Sequence, residues 1–218
     1  MNKNLTEMVF ILDRSGSMSG LEADTIGGFN SMIKRQQAEQ GDAYVSTVLF
    51  NASSYVLHDR VPVRDVREMT RRDYVPSGST ALMDAVGDAI HHIGNVHKYA
   101  RAEDVPAHTV VVIMTDGMEN SSRRYTRQDI KRMIEREQLK YGWEFLFLGA
   151  NIDALDTADS YGIRRECAVD FNADSEGIEL NYEAMHEALN CIRSGGKLSE
   201  SWKKNIERDF GYRTPKHR

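Results

Sequence analysis

The sequence predicts an α/β domain in which helices cover both faces of a mostly parallel, six-stranded sheet. Short apolar runs that suit buried strands alternate with longer segments whose apolar residues recur every three or four positions. This alternation is typical of parallel sheets, because each parallel connection crosses over through a helix. Two strand-like runs are separated by only four residues, which predicts one antiparallel hairpin.

The predicted strands are runs of apolar or β-branched residues that end at polar residues or glycine. The first and fourth runs are apolar almost throughout, as expected for central strands buried on both faces. The second and third runs flank the break at 51–54 and form the hairpin. In chain order the strands are Met8–Leu12, Tyr44–Phe50, Tyr55–Val61, Thr109–Met114, Glu144–Leu148 and 165–171.

The predicted helices are segments whose apolar residues fall on one face. The first helix follows the glycine- and serine-rich turn 14–20, and the last carries apolar residues at spacings of 4, 3, 4 and 3 from Ile178 to Ile192. The stretch 62–77 fits neither pattern. In chain order the helices are Leu21–Gln36, 82–96, 126–140, 153–161 and 175–193.

The domain is predicted to cover residues 1–195, because Gly195 and Gly196 follow the last helix. Residues 196–218 form a basic tail, in which positions 197–218 hold seven Lys or Arg and three Asp or Glu. Its residues Trp202, Ile206 and Phe210 are spaced by four, which is compatible with a short amphipathic helix docked on the body or with a frayed end.

The composition is that of a soluble globular protein with an ordinary core. The chain has 218 residues, of which 40% are hydrophobic and 28% charged, and its net charge of −5 disfavours binding to nucleic acid or to an anionic membrane. The first ten residues lack the apolar core of a signal peptide, and no apolar run is long enough to span a bilayer. Two cysteines make no disulfide framework, so a cytoplasmic location is expected.

Short side chains with oxygen atoms follow the predicted strands. Asp13, Ser15 and Ser17 come after the first strand, and Asp116 follows the fourth. Thr80 opens the second helix and can present its hydroxyl to the same edge, where open α/β sheets bind ligands. Oxygen ligands select hard cations, so these five residues predict a site for Mg²⁺, with Mn²⁺ or Ca²⁺ as alternatives.

The charge of this predicted site suggests a docking role for the metal. Two carboxylates, Asp13 and Asp116, only neutralise a divalent cation. A cation that they reach through water stays electrophilic and can accept one more carboxylate from outside. The expected partner is therefore a protein with an exposed Asp or Glu, and the sequence does not predict an oligomeric state.

Three segments together resemble the metal-ion-dependent adhesion site (MIDAS) of von Willebrand factor type A domains. They are Asp13-Arg14-Ser15-Gly16-Ser17-Met18, then Thr80 within Gly78-Ser79-Thr80-Ala81-Leu82, and Asp116 within Thr115-Asp116-Gly117. The segments occur in the family's order, and the resemblance covers about residues 5–195. Bacterial and phage cytosolic members look most similar, including stress- and tellurite-resistance-associated ones.

The resemblance implies a doubly wound, Rossmann-like sheet with one antiparallel edge strand. It implies that Ser15, Ser17 and Thr80 are direct or near-direct metal ligands, and that Asp13 and Asp116 act directly or through water. It also implies that an acidic residue of a partner protein is the sixth ligand. Such a domain is a protein-binding module, not an enzyme.

Residues beside the predicted ligands are candidates for contact with the partner. They are Arg14, Met18, Ser19, Asn51, Ala81, Glu119 and Asn120. Arg14 and the pairs Arg71-Arg72 and Arg123-Arg124 can form a positive rim that steers an acidic segment. The alternative is that these arginines are solvated or pair with Glu68, Asp73 and Glu119.

Three other interpretations stay open from the sequence alone. The aspartates can simply cap helices and the serines can be turn residues. A Mg²⁺-dependent phosphohydrolase with Asp13 as nucleophile is the leading enzyme alternative, although the haloacid-dehalogenase family expects a second Asp where Ser15 stands. A domain that binds its partner without metal is the third.

Overall fold

The computed structural model of the chain describes residues 1–213. The strands are β1 (Asn2–Asp13), β2 (Asp42–Phe50), β3 (Ser54–Pro62), β4 (Pro106–Thr115), β5 (Glu144–Gly149) and β6 (Ala168–Asp170). The helices are α1 (Glu22–Ala38), α2 (Leu82–Tyr99), α3 (Arg127–Tyr141), α4 (Ala154–Ser160), α5 (Ser175–Arg193) and α6 (Lys204–Arg213).

The six strands form one sheet in the order β3-β2-β1-β4-β5-β6. Neighbouring strands are parallel except for β2 and β3, which form the antiparallel hairpin at one edge. The predicted fold class is confirmed. Strand order reverses between β1 and β4, because the chain runs outward to β3 before it returns on the other side of β1. The carboxyl ends of β1 and β4 therefore flank the crevice where ligands bind in such sheets.

Two strands differ in length from the prediction. β1 begins at Asn2 instead of Met8, because its exposed first residues continue the pairing with β4 beyond the apolar run. β6 has only three residues, because Arg165–Cys167 forms a 3-10 turn before it. Apolar patterning locates the buried part of a strand, and it misses residues that pair at an exposed end of the sheet.

Helices cover the sheet on both faces. α1 packs against α5 on one face, and α2 packs against α3 on the other. The central strands β1 and β4 are buried between these layers, as their continuous apolar runs predict. Within residues 1–213, no helix has the length and apolar character needed to cross a membrane.

The region after Gly195 contains helix α6, which packs against α5 and β6. Trp202 and Ile206 are buried on the body of the domain. The ammonium of Lys203 is also buried and donates to the carbonyl oxygens of Arg165 (3.0 Å) and Ala168 (2.8 Å). The part of the predicted basic tail after residue 213 lies outside the described residues.

Candidate metal centre

The turn after β1 is held tightly against two neighbouring loops. The backbone N–H of Arg14 donates to the carbonyl of Phe50 (2.7 Å), and that of Gly16 donates to the carbonyl of Gly78 (3.0 Å). A Cβ atom at Gly16 would lie only 3.3 Å from the Gly78 oxygen. Glycine therefore permits this close approach, which brings the turn after β1 beside the loop that leads to α2.

A chain of hydrogen bonds links four of the five predicted ligands. The Asp13 carboxylate accepts from the backbone N–H of Ser15 (2.6 Å). The hydroxyl oxygens of Ser15 and Ser17 are 3.0 Å apart, and the Ser17 hydroxyl donates to the Asp116 carboxylate (2.6 Å). Side chains from the ends of β1 and β4 thus converge on one place, although they are far apart in sequence.

Thr80 lies beside the same cluster. Its backbone N–H donates to the Asn120 side chain (2.9 Å), and its carbonyl accepts from the Asn120 N–H (3.0 Å). The Thr80 and Ser17 hydroxyl oxygens lie 3.6 and 3.4 Å from the position that a Cβ atom would take on Gly117. Both hydroxyls therefore border the same small space above Gly117.

The carboxylates of Asp13 and Asp116 are buried, and no positively charged side chain among the described residues pairs with them. Asp13, Ser15, Thr80 and Asp116 are all buried, whereas Ser17 is exposed at the mouth of the cluster. Within residues 1–213, neither aspartate takes part in an ion pair. Burial raises the pKa of both carboxyls, and the nearby charge of Asp116 raises the pKa of Asp13 further, against the lowering effect of hydrogen bonds from Thr115 and Ser15.

Two residues that the sequence did not single out hold Asp13 in place. The Thr115 hydroxyl donates to the second oxygen of the Asp13 carboxylate (2.5 Å), and the Tyr74 hydroxyl donates to the Asp13 carbonyl. Thr115 directly precedes Asp116, so its position at the strand end was readable. Tyr74 lies in the irregular stretch 62–77, where no periodicity indicated that its side chain is buried under the turn.

Glu119 and Asp84 fix the loop that follows Asp116. Glu119 accepts from the backbone N–H groups of Met83, Ser121 and Ser122 at 2.8–2.9 Å, so it caps the start of α2. The Asp84 carboxylate accepts from the backbone N–H groups of residues 123–125 at 2.9–3.1 Å. Burial raises the pKa of Asp84, but the three backbone hydrogen bonds and the charge of Arg124 outweigh this effect, so the pKa is lowered overall.

The structure corrects two of the candidate partner contacts. Met18 and Ala81 are buried, because Met18 joins the hydrophobic core and Ala81 packs at the start of α2, so neither side chain is available to a partner. Ser19 and Asn120 are exposed, and Arg14, Asn51 and Glu119 are partly exposed. Glu119 and Asn120 nevertheless have supporting roles, since they hold Met83 and Thr80.

The predicted arginine rim divides into paired and unpaired members. Arg124 makes two hydrogen bonds to Asp88 (2.7 and 2.6 Å), and Asp73 is occupied by Arg67, which the sequence did not place in the rim. Arg71, Arg72 and Arg123 are exposed. The alternative in which a rim arginine pairs with the Asp73 carboxylate is therefore wrong, because Arg67 bonds to both of its oxygens.

The donor set fits a hard cation. Two carboxylates and three hydroxyls offer only oxygen, which suits Mg²⁺, Mn²⁺ or Ca²⁺. Among residues 1–213 there is no cluster of three or more His, Cys, Asp or Glu that could hold a metal. The oxygen cluster has only two such residues, and a cation would compensate the charge of these two buried carboxylates, which have no ion pair within residues 1–213.

Comparisons with known proteins support the fold. No family model matches the chain, and no curated protein matches it. Among solved structures, a mutant of the PilB minor pilin from Streptococcus sanguinis superposes with a TM-score of 0.62 at 12% identity, covering 91% of this chain and 64% of that one. The vWF domain of the type V pili tip protein Mfa5 from Porphyromonas gingivalis superposes with a TM-score of 0.60 at 10% identity, covering 89% and 98%.

A third structure contains a metal. It is proximal thread matrix protein 1 from the mussel byssus with a zinc-occupied MIDAS motif, with a TM-score of 0.60 at 11% identity, covering 86% of this chain and 48% of that one. The chain thus spans less than two thirds of the pilin and about half of the byssal protein. The likeness shows that the chain has a fold of the von Willebrand factor type A kind, while the narrower resemblance to cytosolic, tellurite-associated members stays a prediction.

Proposed function

We propose that this protein is a metal-dependent protein-binding module. The metal is a divalent cation, Mg²⁺ in the first place, and its ligands are Asp13, Ser15, Ser17, Thr80 and Asp116. A bound cation would supply the positive charge that attracts a carboxylate of the partner protein. The partner is thus a protein that exposes an Asp or Glu.

One observation carries this proposal. Asp13 and Asp116 are buried, linked through Ser15 and Ser17, and unpaired with any cation among residues 1–213. Buried charges are ordinarily paired or bound to metal, because burial without compensation costs several kcal/mol. Helix caps and turns explain single residues, but they do not explain why two carboxylates from different strands meet where Ser17 leaves the cluster open to solvent.

The proposed module is not an enzyme. In a phosphohydrolase, Asp13 would attack the substrate, and one of its oxygens would have to face it. Both oxygens of Asp13 accept hydrogen bonds, from Ser15 and Thr115, and the side chain is buried, which suits contact with a cation through water but not direct attack on a substrate. A phosphatase assay with Mg²⁺ tests this alternative, and turnover that is lost in Asp13→Asn would favour it.

Metal-dependent stabilisation tests the site. We expect Mg²⁺ or Mn²⁺ to raise the unfolding temperature of the protein, because a ligand that binds only the folded state stabilises it by about 2.7 kcal/mol at 100 times its Kd. Asp13→Ala should abolish the response. Thr80→Val, which removes a hydroxyl and keeps the shape, should reduce it strongly, as followed by thermal unfolding with metal and with EDTA.

The matched control is Thr6→Val. Thr6 and Thr80 are both 3% exposed, but Thr6 lies in β1 on the amino-terminal side of its apolar run. Thr6→Val should leave the metal response unchanged. If Asp13→Ala and Thr80→Val respond to Mg²⁺ as fully as the original protein does, the assigned site is wrong.

Capture from the native cell tests the binding role. Partners should be retained by the original protein in Mg²⁺, and they should be released by EDTA and lost with Asp13→Ala. A set of bound proteins that is identical under all three conditions would contradict the role of the metal. A cytoplasmic location stays a prediction from the sequence, and fractionation of the same cells tests it.

A further inference from the structure

Arg14 is the half-buried arginine of the predicted rim, and its guanidinium has no carboxylate partner within residues 1–213. The carboxylate of Asp73, the acidic residue whose main chain Arg14 contacts, is occupied on both oxygens by Arg67 (3.0 Å each) and on one by the Thr70 hydroxyl (2.7 Å). Arg14 reaches only the main-chain carbonyl of Asp73, at 3.4 Å. No carboxylate among the described residues therefore pairs with its positive charge.

The position of Arg14 is fixed beside the candidate metal centre. It lies between Asp13 and Ser15, and its backbone is held from both sides by Phe50 (2.7 Å) and Ser77 (2.9 Å). Its guanidinium stacks over the ring of Tyr55, 5.5 Å from the ring centre. Since Tyr55 is exposed, this stack forms part of the open surface next to the metal turn.

The guanidinium still has hydrogen-bonding capacity to spare. Its Nε atom is buried, so a partner cannot reach it, whereas Nη2 is not among the buried atoms and makes no hydrogen bond within residues 1–213. An arginine whose outer nitrogen meets a carboxylate gains a charge-assisted hydrogen bond. A carboxylate that approaches over Tyr55 would therefore complete the interactions of Arg14.

We infer that Arg14 is a second anion-binding position, which recognises a second acidic side chain of the same partner segment. This inference rests on the proposed function. Two carboxylates from the protein and one from the partner already exceed the charge of a divalent cation by one negative charge. A second acidic side chain would then be repelled by the site, unless a fixed cation such as Arg14 receives it.

Synthetic peptides test this inference without knowledge of the natural partner. One fluorescent peptide carries a single Asp among glycines, and a series carries two Asp residues separated by zero to three glycines. In Mg²⁺, we expect at least one two-aspartate peptide to bind about three- to fivefold more tightly than the single-aspartate peptide, as is typical of a partly exposed ion pair. Fluorescence anisotropy measures the Kd values.

Substitutions assign the preference to Arg14. Arg14→Gln should bring the ratio of the two Kd values to about one, and Arg14→Lys should leave it in between, because lysine keeps the charge and loses the planar fork. The control Lys34→Gln removes an exposed positive charge on α1 and should keep the full ratio. Thermal shifts with Mn²⁺ should show that all three variants fold and respond to metal.

The outcomes separate this inference from the proposed function. If the single-aspartate peptide binds in Mg²⁺ but no second Asp strengthens binding, the inference about Arg14 is wrong and the metal site stands. A preference that persists in Arg14→Gln also overturns it. If no peptide binds in a metal-dependent way, both are overturned.

Discussion

Strand β1 carries two buried carboxylates that the protein treats differently. Glu7, in the first half of the strand, accepts from Arg60 Nε at 2.8 Å and lies 3.3 Å from His97 Nε2. Within residues 1–213, the carboxylate of Asp13, at the carboxyl end, accepts only from neutral groups, the N–H of Ser15 and the hydroxyl of Thr115. Glu7 is thus paired with a cationic side chain of the protein, whereas Asp13 has no such partner among the described residues and is a proposed metal ligand.

Arg60, the partner of Glu7, has an unusual backbone conformation. Arg60 has a φ angle of +47°, in the left-handed region that non-glycine residues rarely adopt. Its guanidinium also stacks over Tyr44, 4.6 Å from the ring centre. A bend of this kind persists only where surrounding contacts compensate its cost, so the ion pair at this end of the sheet is part of the structural framework.

The largest expected effect is on stability at Glu7. Glu7→Gln keeps the shape and removes the charge, which leaves the guanidinium of Arg60, only 20% exposed, without its anion. We expect the unfolding free energy in urea to fall by about 3 kcal/mol, as when one partner of a buried ion pair is removed. The control Asp59→Asn, which breaks the exposed pair with His92, should change it by less than about 1 kcal/mol.

Asp13→Asn should have the opposite effect on the metal-free protein. The amide keeps an acceptor for Ser15, and the Thr115 hydroxyl can turn to accept from the amide nitrogen. Because the substitution removes a buried charge that lacks a cation, the unfolding free energy in EDTA should not fall. A loss as large as that of Glu7→Gln would contradict the comparison between the two carboxylates.

The same contrast predicts a pH dependence. Burial raises the pKa of Asp13 and Asp116 above the value of 3.8 that they have when unfolded. Their contribution to metal-free stability is therefore full below about pH 3.8, and it is lost as the pH rises through the higher folded pKa values. In EDTA, the advantage of Asp13→Asn over the original protein should grow with pH across this window, as measured by urea unfolding. Excess Mg²⁺ should reverse it, because the metal binds the ionised carboxylates.

The sequence predicted which residues meet at the candidate metal centre better than it predicted the residues that hold them in place. Asp13 and Asp116 end apolar strands, and strand ends in a parallel sheet share one edge, so their proximity followed from patterning. The hydrogen bond from the Tyr74 hydroxyl to the Asp13 carbonyl depends on how the irregular stretch 62–77 folds back. No periodicity governs such a stretch, and its contacts are set by packing between distant segments.

The partners of Glu7 could not be predicted from the sequence either. A glutamate within a strand gives no indication of its partners, because Arg60 and His97 lie on other elements and Arg60 has a left-handed backbone conformation that the sequence does not predict. The fold class and the oxygen cluster were thus readable from local patterns. The pairing of the buried Glu7 carboxylate depends on contacts between distant segments, which local sequence patterns do not predict.

The smallest expected effect is at Gly117, where the comparison can be tested without a change in charge. A methyl group there would lie 3.4 Å from the Ser17 hydroxyl and 3.6 Å from the Thr80 hydroxyl, which are ordinary contact distances. Gly117→Ala should therefore fold normally in EDTA, yet its methyl occupies space that both hydroxyls border. We expect a smaller rise in unfolding temperature with Mg²⁺ than in the original protein. Gly94→Ala on α2, whose methyl would meet nothing within 4 Å, should leave that rise unchanged. An unaltered response in Gly117→Ala would mean that the cation lies away from Gly117, toward Asp13 and Ser15.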